Sequence, residues 1–281
     1  MQVKRYLFCN CGLQLTLPDN VLQEKYYHKF IADFDTPDFS YNVIKTDALP
    51  PKAGECIYDS GACSHYKLGS TYNTFSAFYE GKDRVLTDFA CRGSDGNLYI
   101  STPSELNEFV VFEGLRLPEL LLEKGIGILH CSFVEYNGQA IIFAGDKQVG
   151  KSTQAALWQK YKGTTTINGD RAGLYFKNGV ALVGGVPYCG MSDICENKNM
   201  PVKAIICLSK GTENTIKRLS AIEGFMALLG KFSYNQWDKA AVDSITALTS
   251  AISEGVPVFS YSCRKDESAV DFLESVINKE A

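Results

Sequence analysis

The chain has 281 residues, 45% of them hydrophobic and 21% charged. This ordinary globular make-up excludes disordered, collagen-like and coiled-coil chains and predicts about two domains of usual size. Its 28 Lys+Arg stand against 32 Asp+Glu, a near-balance that argues against nucleic-acid or membrane-surface binding as the main role. No run approaches about 18 apolar residues, so no membrane span is predicted. The opening MQVKRYLFCNCGLQL lacks the apolar stretch and cleavage site of a secretory signal, so a cytoplasmic location is expected.

Residues 1–103 are rich in Tyr, Phe, Thr and Ser and predict a β-rich module. Candidate strands are Tyr6–Phe8, Ala77–Tyr79, Val85–Ala90 and Leu98–Ser101, with turns at Pro50-Pro51, Gly81-Lys82-Asp83 and Ser94-Asp95-Gly96. Tyr26, Tyr27 and His28 read as core aromatics or as the lining of a cleft. Ten cysteines in a chain without an export signal read as small buried hydrophobes rather than a disulfide framework. Cys9 and Cys11 would share one face of a strand, too far apart for an unstrained bond. Cys56, Cys63 and His65, with Cys91 more distant, form the best metal-like cluster, although their spacing matches no known zinc pattern.

From Ser104 the pattern turns helical, with Ser104 as cap for Leu106, Phe109, Val110 and Phe112. Pro118 starts or kinks a second piece, which Gly125 and Gly127 end. A domain boundary is therefore placed near residue 103. Downstream, Ala204–Leu208 and Val256–Ser262 predict strands, and Ser220-Ala221-Ile222-Glu223 is a capping box. Val242, Ile245, Leu248 and Ile252 form one helical stripe closed by Gly255, and Asp266 caps a last helix through Ile277. Strands alternating with helices indicate an α/β layer domain over 104–281.

The most specific signal is Gly145-Asp146-Lys147-Gln148-Val149-Gly150-Lys151-Ser152, a complete phosphate-loop pattern, followed by Thr153. The glycines permit turns that aim backbone N–H groups at an anion, and the helix behind adds its positive end. In that chemistry Lys151 reaches the β- and γ-phosphates and Ser152 places its hydroxyl on Mg²⁺. The pattern arises by accident in about one chain in a hundred of this length. Here an apolar run, Ala140–Ala144, enters it, and a helix with Ala155, Ala156 and Trp158 on its apolar face leaves it.

Two hairpins place further residues. Asn137-Gly138, between His130–Tyr136 and Gln139–Ala144, predicts a type I′ turn that pairs Tyr136 with Gln139 and brings His130 opposite Gly145, beside the loop. His130 is then either a satisfied structural residue or a phosphate contact. Asn178-Gly179 predicts a second hairpin, with Asp170 near Pro187 and the loop Gly184–Gly190. Asp170 could be a Mg²⁺ ligand, a general base or a turn residue, since Asn168-Gly169-Asp170 is turn chemistry by itself.

These residues together resemble the catalytic domain of bacterial HPr serine kinase/phosphorylase, whose core is similar to that of ATP-dependent phosphoenolpyruvate carboxykinase. His130, Gly145-Asp146, Gly150-Lys151-Ser152 and Asp170-Arg171 stand where that family has its strand His, its loop and its Asp-Asp-Arg. Cys131 stands where the family has Gly and Gly169 where it has the first Asp. The loop interior is Lys147-Gln148, and a metal-binding Glu signature has no counterpart. The resemblance is strongest over His130–Gly190 and fits the looser group of HPr-kinase-like proteins, some of them associated with peptide modification.

It implies an α/β (α+β) protein in which a β-rich module, 1–103, able to recognise an acceptor, precedes a P-loop kinase domain, 104–281. The implied activity is transfer of the γ-phosphoryl group of ATP, with Mg²⁺, to a hydroxyl of a protein or peptide. Asp170 would accept the proton, His130 and Lys151 would support the phosphoryl group, and Ser152 and Asp170 would hold the metal. Residues 145–153 would bind the nucleotide, with Arg218 or Arg264 as a further cation. Homo-oligomerisation is compatible with the sequence. The alternative is a non-catalytic ATP-binding regulator or scaffold, and a carboxykinase ranks last.

Overall fold

The computed structural model describes the whole chain except residues 70, 81–83, 93–95 and 280–281, and, within strands, the side chains of 71–72, 78–80, 84–88 and 91–92. The expected turns at Gly81–Asp83 and Ser94-Asp95 and the Cys91 side chain lie outside the described residues. The chain divides into two compact units, Met1–Leu120 and Leu121–Ala281. Both are mixtures of sheet and helix, an α+β arrangement. Among the described residues no helix is long and apolar enough to cross a membrane.

The first unit holds an eight-stranded sheet: β1 (Gln2–Phe8), β2 (Cys11–Leu17), β3 (Phe39–Lys45), β4 (Glu55–Asp59), β5 (Cys63–Leu68), β6 (Thr71–Glu80), β7 (Arg84–Arg92) and β8 (Asn97–Ser101). Its order is β1-β2-β3-β8-β7-β6-β5-β4. Phe8 pairs with Cys11, and Cys9 and Asn10 have φ of 52° and 68°. They form the two-residue turn between β1 and β2, so Cys9 and Cys11 do not share one face of a strand as expected. Tyr27 is buried and stacks on Phe112 at 4.5 Å, so it belongs to the core rather than to a cleft.

α1 (Glu108–Leu115) is capped by Asn107, whose side chain accepts from Val110 N, and not by Ser104. Asn107 wins because its oxygen stands three residues before an N–H with no partner inside the helix. Glu108, 1% exposed, then accepts from Lys4 Nζ at 2.8 Å, Tyr6 OH at 2.7 Å and Glu24 N at 2.9 Å. Gly114 packs so tightly that a Cβ there would lie 2.5 Å from Phe89. These contacts hold α1 on the first sheet, so the division falls later in the chain than the boundary expected near 103. α2 (Leu117–Glu123) carries the chain across it.

The second unit contains β9 (Gly127–Tyr136), β10 (Gln139–Ala144), α3 (Lys151–Lys162), β11 (Thr165–Asn168), β12 (Arg171–Lys177), β13 (Val180–Gly185), β14 (Asn199–Lys210), β15 (Thr215–Arg218), α4 (Ala221–Leu229), β16 (Phe232–Ser233), α5 (Lys239–Gly255), β17 (Val258–Cys263) and α6 (Glu267–Ile277). The Asn137-Gly138 and Asn178-Gly179 turns have positive φ throughout, and their hairpins pair as predicted: Gln139 with Tyr136, Lys177 with Val180. β14 is long enough to pair with β13 through its first residues and in parallel with β10 and β17 beyond them.

β10 shows why a continuous apolar run was needed. Ala140, Ile142 and Ala144 enter one core with Leu129, Phe133 and, from α5, Ile245. Ile141 and Phe143 enter another, with Trp158 of α3 and Leu273 of α6. A strand with period two that is buried on both faces has no position left for a polar residue. On α3 the buried face is Lys151, Gln154, Ala155 and Trp158, while Ala156 is exposed. Gly127 belongs to β9 instead of ending a helix: a Cβ there would lie 2.6 Å from Leu248 and 2.9 Å from Ile245 of α5. The Ser220 capping box is formed, with both reciprocal hydrogen bonds.

Candidate functional site

The glycine-rich loop joins the end of β10 to the first turn of α3. Gly145 has φ of 146°, Gln148 63° and Gly150, the helix cap, 119°. Residues of positive φ set among residues of negative φ are the backbone pattern from which anion nests are built. Gly145 also has no room for a side chain, since a Cβ would meet Val149 Cγ1 at 2.9 Å and Leu208 O at 3.1 Å. Lys151, 7% exposed, curls back and donates to Gly145 O at 3.1 Å and Asp146 O at 3.0 Å. Burial lowers its pKa, with Asp170 and Asp146 among the charges that oppose the shift. Lys147, Ser152 and Thr153 are exposed, and Val149 is half-buried.

His130 and Asp170 meet beside this loop. His130 Nε2 lies 3.4 Å from Asp170 Oδ1. Three backbone links fix the pairing: Arg171 opposes His130 in the β12–β9 ladder, Cys131 N donates to Asp170 O at 3.0 Å, and His130 N donates to Lys231 O at 2.9 Å. Burial first, then the charge of Lys151, pulls the imidazole below its usual range, against the opposing pull of Asp170. The ring is therefore neutral at neutral pH and can offer or accept one hydrogen bond without carrying charge.

Asp170 is held by its neighbours. Asn168 is fully buried; its Oδ1 accepts from Asp170 N and Arg171 N, both at 3.0 Å, while its Nδ2 donates to Val186 O at 2.7 Å. The turn reading of Asn168-Gly169-Asp170 and the site reading are thus compatible, because the turn is what presents the carboxylate. Gly190, at φ of 53°, lies against that carboxylate, where a Cβ would stand 2.8 Å from Asp170 Cγ. Arg171 Nε is 3.6 Å from Asp170 Oδ2, and its guanidinium lies 5.4 Å from the Tyr188 ring centroid. Ser152 Oγ is 3.5 Å from Gly169 O, so the hydroxyl expected to meet a metal sits next to the Asp170 backbone.

Lys231, just after α4, was not anticipated. Its ammonium pairs with the Asp146 carboxylate, which holds that acid below the usual carboxylate range. Nothing local in the sequence marks it, since only the β9–α4 arrangement brings its backbone to His130 and its side chain to the loop. The two arginines offered as further cations are occupied elsewhere: Arg218 lies over Phe259 at 5.5 Å, and Arg264 pairs with Asp266 at 3.1 Å.

The surroundings of Gly169 are specific. A Cβ there would lie 2.0 Å from Ser192 Oγ, which itself donates to Cys189 O at 2.5 Å. The short turn Gly190–Ser192 thus fills the space that a side chain at 169 would need. Elsewhere, Cys63 Sγ lies 3.2 Å from His65 Nε2, while Cys56 Sγ contacts Tyr58 O. Among the described residues no group of three or more His, Cys, Asp or Glu could hold a metal, and the nine described cysteines are free thiols.

No protein-family profile matches the chain, and no curated protein matches it. Among solved structures, the HPr(Ser) kinase/phosphatase from Coxiella burnetii is similar over 54% of this chain and 89% of that one, at 13% identity and a TM-score of 0.30.

Proposed function

We propose that the chain is a MgATP-dependent phosphotransferase acting on a hydroxyl of a protein or peptide. The observation that carries this reading is the convergence of a glycine-rich loop, an inward-drawn Lys151 and the His130–Asp170 pair at one end of β9 and β10. The loop N–H groups and the start of α3 would hold the phosphates, and Lys151 would exchange a loop carbonyl for a phosphate oxygen as charge develops. Asp170 would accept the proton of the attacking hydroxyl, and neutral His130 would hold the acceptor or the phosphoryl group by hydrogen bonding. Lys231 would add a second cation at the mouth of the loop.

A hydroxyl, a carboxylate and phosphate oxygens are the donor set that Mg²⁺ takes, so Ser152 and Asp170 fit it as protein ligands. When bound, Mg²⁺ would neutralise charge on the transferred group. The first unit would recognise the acceptor. One observation favours the second reading, a non-catalytic ATP-binding regulator: the position of the family's first Asp is Gly169, and Ser192 fills the space beside it.

Titration with a fluorescent ATP analogue and Mg²⁺ tests the nucleotide site. Wild type is expected to bind, and Lys151→Met to weaken binding by about 2–4 kcal/mol, roughly 30- to 700-fold. Equal affinity in the two proteins would remove the nucleotide site from this loop.

A further inference from the structure

The first unit carries a further group of reactive side chains, built around Cys63 and His65. Its geometry follows from the sheet. Cys63 and His65 stand two apart on β5 and so share one face, and Thr74 opposes His65 in the β5–β6 ladder. The three side chains meet in a row: Cys63 Sγ lies 3.2 Å from His65 Nε2, and His65 Nδ1 lies 2.9 Å from Thr74 Oγ1. His65 and Thr74 are buried, at 2% and 8% exposed, which holds the ring in place, while Cys63 remains partly accessible to solvent.

A fourth residue decides what the group can take. Arg116, at φ of 53°, ends α1 and donates from Nη1 to Cys63 Sγ at 3.5 Å, with Glu119 anchoring its guanidinium. A fixed cation against the sulfur repels a metal ion and favours negative charge there. The Cys–His pair that suggested a metal in the sequence is thus a thiol and an imidazole. Burial raises the Cys63 thiol above its ordinary value, and Arg116 opposes the shift. The resting sulfur therefore keeps its proton at neutral pH, and attack needs a base within reach. In the tautomer that carries hydrogen on Nδ1, Thr74 accepts that hydrogen and Nε2 is left to take the thiol proton. A nucleophile, a base at hydrogen-bond distance and a third group that orients the base are the signature of an activated nucleophile.

We propose that Cys63, with His65 as its base, is a thiol–disulfide exchange site for small-molecule disulfides. On attack the thiol proton passes to His65 Nε2, a bond forms between Cys63 Sγ and one sulfur of the disulfide, and the S–S bond of the disulfide breaks. The departing sulfur takes the proton from His65 and leaves as a thiol. Cys63 is oxidised to a mixed disulfide, one half of the small molecule is reduced, and no further reactant is needed. Disulfides suit this group because the negative charge of the exchange spreads along sulfurs beside Arg116, and the leaving thiolate takes back the proton that His65 holds.

Incubating the full chain with glutathione disulfide at neutral pH tests this, with peptide mass spectrometry reading the rate of adduct formation at each cysteine. Cys56 is the internal reference: it is exposed, and its Sγ meets Tyr58 O at 3.7 Å. Exposure alone predicts that Cys56 reacts before Cys63. A positioned base contributes about 10²–10⁴-fold and partial burial takes back part of it, so Cys63 should react roughly tenfold faster than Cys56. His65→Gln should bring Cys63 below Cys56, and Thr74→Val, which frees the ring while keeping the side-chain shape, should slow Cys63 several-fold. Wild-type Cys63 reacting no faster than Cys56 would overturn the proposal whether or not the variants fold, and so would a Cys63 rate unchanged in His65→Gln or in Thr74→Val.

Discussion

Replacing Asn168 by Ala should be among the most damaging single changes in the second unit. The side chain is fully buried and makes three hydrogen bonds, to Val186 O at 2.7 Å and from the Asp170 and Arg171 amides at 3.0 Å. Truncation leaves one carbonyl and two N–H groups without partners in a dry site, at about 1–3 kcal/mol each. Because the three share one side chain, and a water can replace part of it, the costs do not add fully; about 3–5 kcal/mol is expected. At roughly 2–4 °C per kcal/mol this lowers the melting temperature by about 6–20 °C.

Asn168→Asp should cost at least as much, because it keeps the acceptor but sets an oxygen against the Val186 carbonyl and buries a charge. Urea unfolding, followed by a probe in residues 121–281, measures both variants. A shift of the midpoint at constant slope is the expected result. A loss below about 0.5 kcal/mol for Asn168→Ala, the range of ordinary surface changes, would refute the view that this side chain holds Asp170 in place.

Other consequences can be checked alongside. Lys231→Met should leave the melting temperature nearly unchanged, because its partner Asp146 is exposed, yet weaken MgATP binding about tenfold; unchanged affinity would reduce Lys231 to a surface pair. Gly169→Ala should destabilise by about 1–3 kcal/mol through overlap with Ser192, and Ser192→Gly in the same chain should restore much of it. His130 titrates below its usual range in the free protein, so folding favours the neutral ring. Stability should therefore fall as pH drops through about 6.5 toward the lowered value. Phosphates arriving beside the ring raise its pKa again. Nucleotide binding near pH 6 should thus take up a proton, seen as buffer-dependent heat, and His130→Gln should abolish the uptake; proton release would contradict the placement of the ring.

The sequence was most legible where one local signal dictates one backbone geometry. Asn137-Gly138 and Asn178-Gly179 set two hairpin registers, and both hold, because only residues tolerant of positive φ close such a turn. The first hairpin brought His130 to the loop. Cys9-Asn10 makes the same kind of turn without a glycine, which is why β2 went unpredicted. Ser104 and Asn107 are both good capping residue types, and only the fold of Glu108 onto Lys4 and Tyr6 makes Asn107 the cap. That contact joins residues about a hundred positions apart, and no periodicity encodes it. Lys231 was invisible for the same reason: it acquires its meaning from elements brought together by the sheet.

Phosphoryl transfer itself is the central claim, and one measurement addresses it. The full chain, incubated with γ-labelled ATP, Mg²⁺ and a panel of serine-containing peptides and proteins, should transfer label to an acceptor, or slowly to water without one. Asp170→Asn, which loses a carboxylate ligand of the metal, should bind MgATP about tenfold more weakly and, with MgATP saturating, lose about two to four orders of magnitude in transfer, the usual contribution of a positioned base. Transfer by Asp170→Asn at the wild-type rate, or wild type that binds MgATP tightly and releases no label to any acceptor or to water, would contradict the account.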